Sequence, residues 1–72
     1  MPQPSRSRVL QAFGDRVRER REALGLSQEA LAEEADLHRT YVSGVERGVR
    51  NPSLLSIERL AGALRVRVRD LF

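Results

Sequence analysis

An all-α domain of about five short helices is predicted for this 72-residue chain, and three observations carry the prediction. Apolar residues recur at helical spacing at Leu10, Phe13, Val17 and Leu24, and again at Leu54, Ile57, Leu60, Ala61 and Leu64. Residues that start and stop helices stand at the borders of the helical segments: Ser27 and Ser53 at starts, Gly25 and Gly48 at ends. The one strand-like alternation, Val66-Arg67-Val68-Arg69, is short enough to read instead as a turn into a last helical turn.

Residues 1–8 contain Pro2, Pro4, two serines and two arginines without apolar periodicity, and are expected to be a flexible basic tail on a domain spanning 9–72. Helix one covers roughly four turns, with Arg21 on its otherwise apolar face, and Gly25 supplies the left-handed residue that ends it. Ser27 can cap helix two by accepting a free backbone N–H, and Glu29 suits the positive end of that helix. Helix two runs to about Ala35, turning Ala30, Leu31 and Ala35 inward and Glu29, Glu33 and Glu34 outward. Asp36 takes the turn, since Asp tolerates left-handed backbone better than most residues with a side chain. Leu37 plugs the core, and helix three follows from about Arg39 to Arg47 with Val42 and Val45 buried, stopping at Gly48. Val49 to Pro52 is a loop, Ser53 caps helix four, and Leu71 and Phe72 belong to a final turn.

Composition removes several classes of function. There is no cysteine and only one histidine, His38, so a disulfide framework, a zinc site and histidine-based catalysis are not expected. No paired nucleophile and base and no phosphate-cradling glycine loop is present, so neither an enzyme nor a bound cofactor is expected. No apolar run approaches the ~20 residues of a membrane span, and the N-terminus lacks the apolar core of a signal peptide, so a cytoplasmic protein without a membrane partner is expected. The net charge is +3, but its distribution is more telling. Ser27 to Asp36 holds four acids and no base, whereas the flanking segments are rich in arginine, which accounts for all 13 basic residues. Arginine gives planar, bidentate contacts to phosphate and guanine.

Two short helices joined by a tight turn, here Ser27 to Gly48, form the unit that lays its second helix in the DNA major groove. Arg39, Thr40 and Ser43 fall along the outer face of that second helix. Arg39, near the helix start, can reach guanine N7 and O6 as a bidentate donor, while Thr40 suits a thymine methyl or phosphate and Ser43 a base edge or phosphate. Gly44 would let the helix backbone approach closely. Tyr41 is either a contact to the sugar–phosphate edge or a base step, or a half-buried core residue with its hydroxyl in water. His38 precedes the helix, where it can cap it or touch phosphate. Arg50 and Asn51 are expected to meet phosphates flanking the groove, with Arg47 either a further contact or a solvated side chain. Leu55, Leu64, Val66, Val68, Leu71 and Phe72 exceed what one small core comfortably hides; either some are ordinary core or together they form a homodimer interface. A two-fold dimer would set two recognition helices ~34 Å apart on palindromic double-stranded DNA.

From Phe13 to about Phe72 the chain resembles the Cro/C1-type (lambda-repressor-like) helix-turn-helix family. The resemblance rests on Gly25-Leu26-Ser27-Gln28 with Leu31-Ala32, on Val45-Glu46-Arg47-Gly48, on Asn51-Pro52-Ser53 and on Leu60-Ala61 with Ala63-Leu64. The run Leu37 to Arg47 followed by Arg50-Asn51 looks most like controller proteins of restriction–modification systems. The resemblance implies a five-helix domain and a transcriptional regulator that activates or represses by position, with RNA polymerase a further partner. It also implies that Gln28, at the start of helix two, donates to a phosphate. Arg21, costly on an apolar face, would pair with Glu46 as a structural ion pair. Asp36, Arg65 and Arg67 stand where the family commonly has a turn glycine, a glycine after helix four and a capping serine or threonine. The alternative function is an antitoxin or adaptor that uses the same fold to grip another protein, which the acidic helix two and the apolar C-terminus would serve.

Overall fold

The computed structural model describes residues 7–72. Four α-helices, α1 (Arg8–Ala23), α2 (Gln28–Ala35), α3 (Arg39–Glu46) and α4 (Leu54–Leu64), are followed by a 3-10 turn, Val68–Leu71. The fold is all-α, with no strand among the described residues. The expected fifth helix is this single 3-10 turn: four residues leave room for one narrow turn, in which the Asp70 carboxylate accepts the Arg67 backbone N–H at 2.9 Å. The part of the expected tail that spans residues 1–6 lies outside the described residues. Ser7 and Arg8 are the cap and first residue of α1, because the Ser7 hydroxyl accepts from Val9 N–H at 3.0 Å and ties the chain into the helix.

The borders follow from local chemistry. Ser27 and Ser53 accept N–H groups of Ala30 and Ser56, three residues on, satisfying donors that the first helical turn leaves open. Gly25 and Gly48 have φ of 73°, the left-handed region that glycine enters without steric cost. Asp36 (φ 57°) and Arg65 (φ 61°) adopt the same conformation with side chains attached. Arg65 has no compensating short polar side chain, so it stores ~1 kcal/mol or more of strain.

The core is built from one face of each helix: Phe13 and Val17 of α1, Leu31, Ala32 and Ala35 of α2, Val42 and Val45 of α3, and Ile57, Leu60, Ala61 and Leu64 of α4. Leu71 closes it from the 3-10 turn, which packs against both α1 and α4. This corrects two of the expected interface residues. Leu64 is 0% exposed and Leu71 1%, so both belong to the monomer's own core. Hiding each leucine contributes about 1.5–3 kcal/mol, and folding the 3-10 turn back is what captures the second. α1 and α3 approach closely at Gly14, where an added Cβ would run into the Val45 carbonyl oxygen and lie 2.9 Å from that of Glu46. The short connections between Gln28 and Glu46 hold α2 and α3 as a packed pair with the outer side of α3 in solvent. No helix of the described residues is long and apolar enough to cross a membrane.

Candidate nucleic-acid interface

Two groups of side chains define the outer surface around α3. The first begins at its N-terminus. Arg39 and Thr40 are exposed and Ser43 is half-buried, so the three share the solvent side of the helix as their spacing requires. Arg39 Nη1 donates to Gln28 Oε1 at 3.4 Å, across the turn between α2 and α3. The Gln28 amide nitrogen donates in turn to Glu46 Oε1 at 3.0 Å. Glu46 is only 5% exposed and receives Arg21 on both oxygens, Nε to Oε2 at 2.7 Å and Nη2 to Oε1 at 3.0 Å. Arg21 Nη1 completes its fork on the Leu26 carbonyl at 2.8 Å. The result is one continuous chain of hydrogen bonds, Arg39–Gln28–Glu46–Arg21, from the solvent face of α3 to the inner side of α1.

The electrostatics of this chain agree with its geometry. The Glu46 hydrogen bond holds the Arg21 guanidinium above its ordinary value, against burial, with the charges of Glu46 and Glu22 assisting. A buried carboxylate and a partly buried guanidinium thus neutralise each other and fix the roll of α3 about its axis relative to α1. Gln28 uses one amide N–H on Glu46, and an amide has a second. In this arrangement the glutamine is first a linker between α2 and α3, with one donor left for an outside acceptor.

The second group lies after α3. Arg50 stands over the Tyr41 ring, its guanidinium carbon 4.7 Å from the centroid, within cation–π range. The half-buried Tyr41 accepts the Ser53 backbone N–H at its hydroxyl oxygen, 3.2 Å away. Burial pushes the Tyr41 hydroxyl up, but hydrogen bonds from Ser56 and Ser53 and the Arg50 charge outweigh it and hold the group below its ordinary value. Asn51 and Arg50 are exposed beside this stack. Arg47 Nε donates to Ser43 Oγ at 3.4 Å, so the serine hydroxyl is engaged within α3.

His38 is the N-cap residue of α3 and is exposed, but its side chain makes no capping hydrogen bond, which removes one of its two expected roles. Gly44 is buried, and what covers it is the chain's own loop: an added Cβ would meet Arg50 Cβ at 3.1 Å. The expected close approach at Gly44 is therefore internal. Of the expected interface residues, Leu55 (53%), Val68 (42%) and Phe72 (58%) are exposed and Val66 is partly buried against the core. Phe72 also leans on Phe13, with ring centroids 5.1 Å apart, so it bridges core and surface. Leu54, expected in the apolar stripe of helix four, is instead 85% exposed in the first turn of α4, and it was not among the expected interface residues. Gly14 was also missed, although a glycine inside an otherwise good helix is itself a signal of close packing.

Known proteins share this fold and much of this sequence. The helix-turn-helix family profile matches residues 17–71. The chain is 53% identical over 60 residues to control protein C.BamHI of Bacillus amyloliquefaciens, covering 82% of this chain and 74% of that one. The crystal structure of the restriction-modification controller protein C.AhdI from Aeromonas hydrophila superimposes with a TM-score of 0.86 at 57% identity, over 88% of this chain and 96% of that one. The biofilm master regulator SinR, solved in complex with DNA, superimposes with a TM-score of 0.78 at 35% identity, over 82% and 95% of the two chains. The chain belongs to the Cro/C1-type helix-turn-helix family, the family that includes these controller proteins.

Proposed function

We propose that the chain is a sequence-specific, double-stranded-DNA-binding transcriptional regulator of the restriction–modification controller type, acting as a homodimer on a palindromic operator. The observation that carries this reading is the solvent face of α3, where Arg39 is tethered through Gln28 to a buried ion pair. A recognition side chain anchored in this way enters the groove with its backbone register already fixed, so less ordering is left for binding. Arg39 reads guanine, Thr40 and Ser43 contact neighbouring base edges or phosphates, and Gln28, His38, Arg50 and Asn51 hold the flanking backbone. Tyr41 meets the sugar–phosphate edge beside Arg50. The likeness to C.BamHI and C.AhdI, which are named as controllers, and to SinR, solved with DNA, supports the assignment.

Leu55, Val68 and Phe72, with the neighbouring Val66, are the surface proposed for the two-fold contact; Leu64 and Leu71 are excluded from it by their burial. Such a regulator works in the cytoplasm, with RNA polymerase as the partner when it activates.

The test is selection of bound sequences from a random duplex pool by the purified chain, followed by sequencing. A two-fold symmetric motif with half-sites about one turn apart, ~34 Å, is the expected result. Arg39→Ala should relax preference at one guanine per half-site at a cost of about 1–3 kcal/mol. Recovery of unenriched DNA would sink the assignment and leave the antitoxin or adaptor reading, for which the acidic outer side of α2 (Glu29, Glu33, Glu34) is the feature that speaks.

A further inference from the structure

Gly44 sits inside α3, where glycine costs helix stability and alanine would be the better residue. Its burial comes from the loop that follows the helix. An added Cβ would lie 3.1 Å from Arg50 Cβ, 3.8 Å from Arg50 Cγ and 3.9 Å from Val49 Cγ2. The Gly44 carbonyl accepts the N–H groups of both Val49 (3.0 Å) and Arg50 (3.2 Å). Arg50 Cβ cannot yield by rotating its side chain, because a Cβ position is set by the backbone, and that backbone is tied to Gly44. From this seat the Arg50 side chain crosses Tyr41, whose hydroxyl in turn holds the Ser53 N–H. The loop is thereby closed onto α3 at Gly44, at Tyr41 and at Ser53.

We propose that Gly44 is a positioning residue for DNA binding: its missing Cβ lets residues 47–53 lie against α3, so that Arg50 is held over Tyr41 in fixed register with Arg39. The inference rests on the DNA-binding reading above and adds to it an affinity role, exercised through the Arg50 contact to the flanking backbone, for a residue that touches no base. A guanidinium stacked on a tyrosine ring has already lost much of its rotamer freedom, so the contact it makes to nucleic acid needs less ordering. Pushing the loop outward by a few tenths of an ångström shifts Arg50 on the Tyr41 ring and out of register with Arg39 while leaving the core intact.

Gly44→Ala tests this in the free protein and on DNA. In the wild-type chain, the NMR signals of Arg50 side-chain protons should carry an upfield ring-current shift from Tyr41 that Tyr41→Leu should remove. Gly44→Ala is expected to reduce that shift, with a thermal midpoint within a few degrees of wild type because the helix propensity gained with alanine offsets the strain at the loop. On the duplex enriched by the wild-type chain from a random pool, Gly44→Ala is expected to bind roughly tenfold more weakly. Arg50→Ala combined with Gly44→Ala should then bind no more weakly than Arg50→Ala alone. An unchanged ring-current shift, an additive loss in the double variant, or a thermal midpoint many degrees lower overturns the proposal, the last because it makes glycine a packing requirement of α3. A pool that enriches no duplex overturns the DNA reading instead, and a ring-current shift reduced in Gly44→Ala would still establish the seat.

Discussion

Replacing Glu46 by glutamine keeps the shape of the side chain but takes the negative charge from between Arg21 and Gln28. The carboxylate accepts three hydrogen bonds, one on Oε2 and two on Oε1. A glutamine has one acceptor oxygen, and its best orientation serves Arg21 Nη2 and Gln28 while setting its own NH2 against Arg21 Nε. One charge-assisted hydrogen bond, worth about 1.5–3 kcal/mol, is lost, and a buried donor is left facing a donor at about 1–3 kcal/mol. Arg21 keeps the Leu26 carbonyl at 2.8 Å, and Glu22 lies 4.0 Å away, half in solvent, so part of its charge remains compensated. The net loss should be about 3 kcal/mol, the low end of what breaking a buried ion pair costs. A domain of this length has about 4–11 kcal/mol in total, so Glu46→Gln should remain folded but melt roughly 12–24 °C lower. Urea unfolding followed by helical circular dichroism, at one fixed protein concentration, measures it. Arg21→Met with Glu46→Leu removes both charges and should recover to within about 1–2 kcal/mol of wild type, the remainder being the acceptor Gln28 has lost. A cost below about 1 kcal/mol for Glu46→Gln, or a double variant as unstable as the two single losses added, would mean that Arg21 and Glu46 are not a coupled pair in solution.

The same geometry yields further expectations. Tyr41 is the one tyrosine and there is no tryptophan, so alkaline absorbance titration reads it alone; its midpoint should fall below the ordinary tyrosine value of about 10 and move up in Arg50→Ala. Because the folded-state value is depressed, ionisation favours the folded form: the contribution is fully present above about pH 10 and disappears as pH falls through the folded value. A midpoint at or above that of the urea-unfolded chain would contradict the hydrogen bonding at its hydroxyl. Arg65→Gly relieves a left-handed residue and should raise stability by about 1 kcal/mol, more than Asp36→Gly, since aspartate tolerates that conformation better; thermal unfolding of both variants checks the order. Gly14→Ala should destabilise by about 1–3 kcal/mol despite the better helix propensity of alanine, because its methyl group meets backbone carbonyls of α3 that cannot rotate away. An unchanged unfolding midpoint would mean that α1 and α3 are farther apart in solution.

The helices, their borders and most of their inward faces were legible in the residues because each depends on chemistry within a few positions; on α2, Ala32 is buried in the core and the expected Ala30 stays half-buried, and on α4 Leu54 is exposed. Ser27, Ser53, Gly25 and Gly48 act on the peptide groups next to them, and the spacing of Phe13 and Val17 or Leu60 and Leu64 places each pair on one side of a helix whatever lies opposite. The same reasoning put Arg39, Thr40 and Ser43 on one outer face. It also put Asp36 in a left-handed turn, where the structure has it. The C-terminus was less legible. Four residues with two valines, an arginine between them and another after them carry no period long enough to tell a helix from a turn, and nothing local says that Leu71 will reach the core while Val68, three residues earlier, stays exposed.

Local sequence is enough to specify an all-α chain with a helix–turn–helix at its centre and a row of polar side chains facing out of it. It takes the packed helices to show that Leu64 and Leu71 complete the core, that Gln28 links Arg39 to the Arg21–Glu46 pair, and that Gly14 and Gly44 are meeting points of backbone and loop. Steric and hydrogen-bonding preferences act between neighbours and are written in spacing. Which distant atoms fill a given gap depends on how the helices roll and slide until their side chains interlock, and that is a property of all of them together.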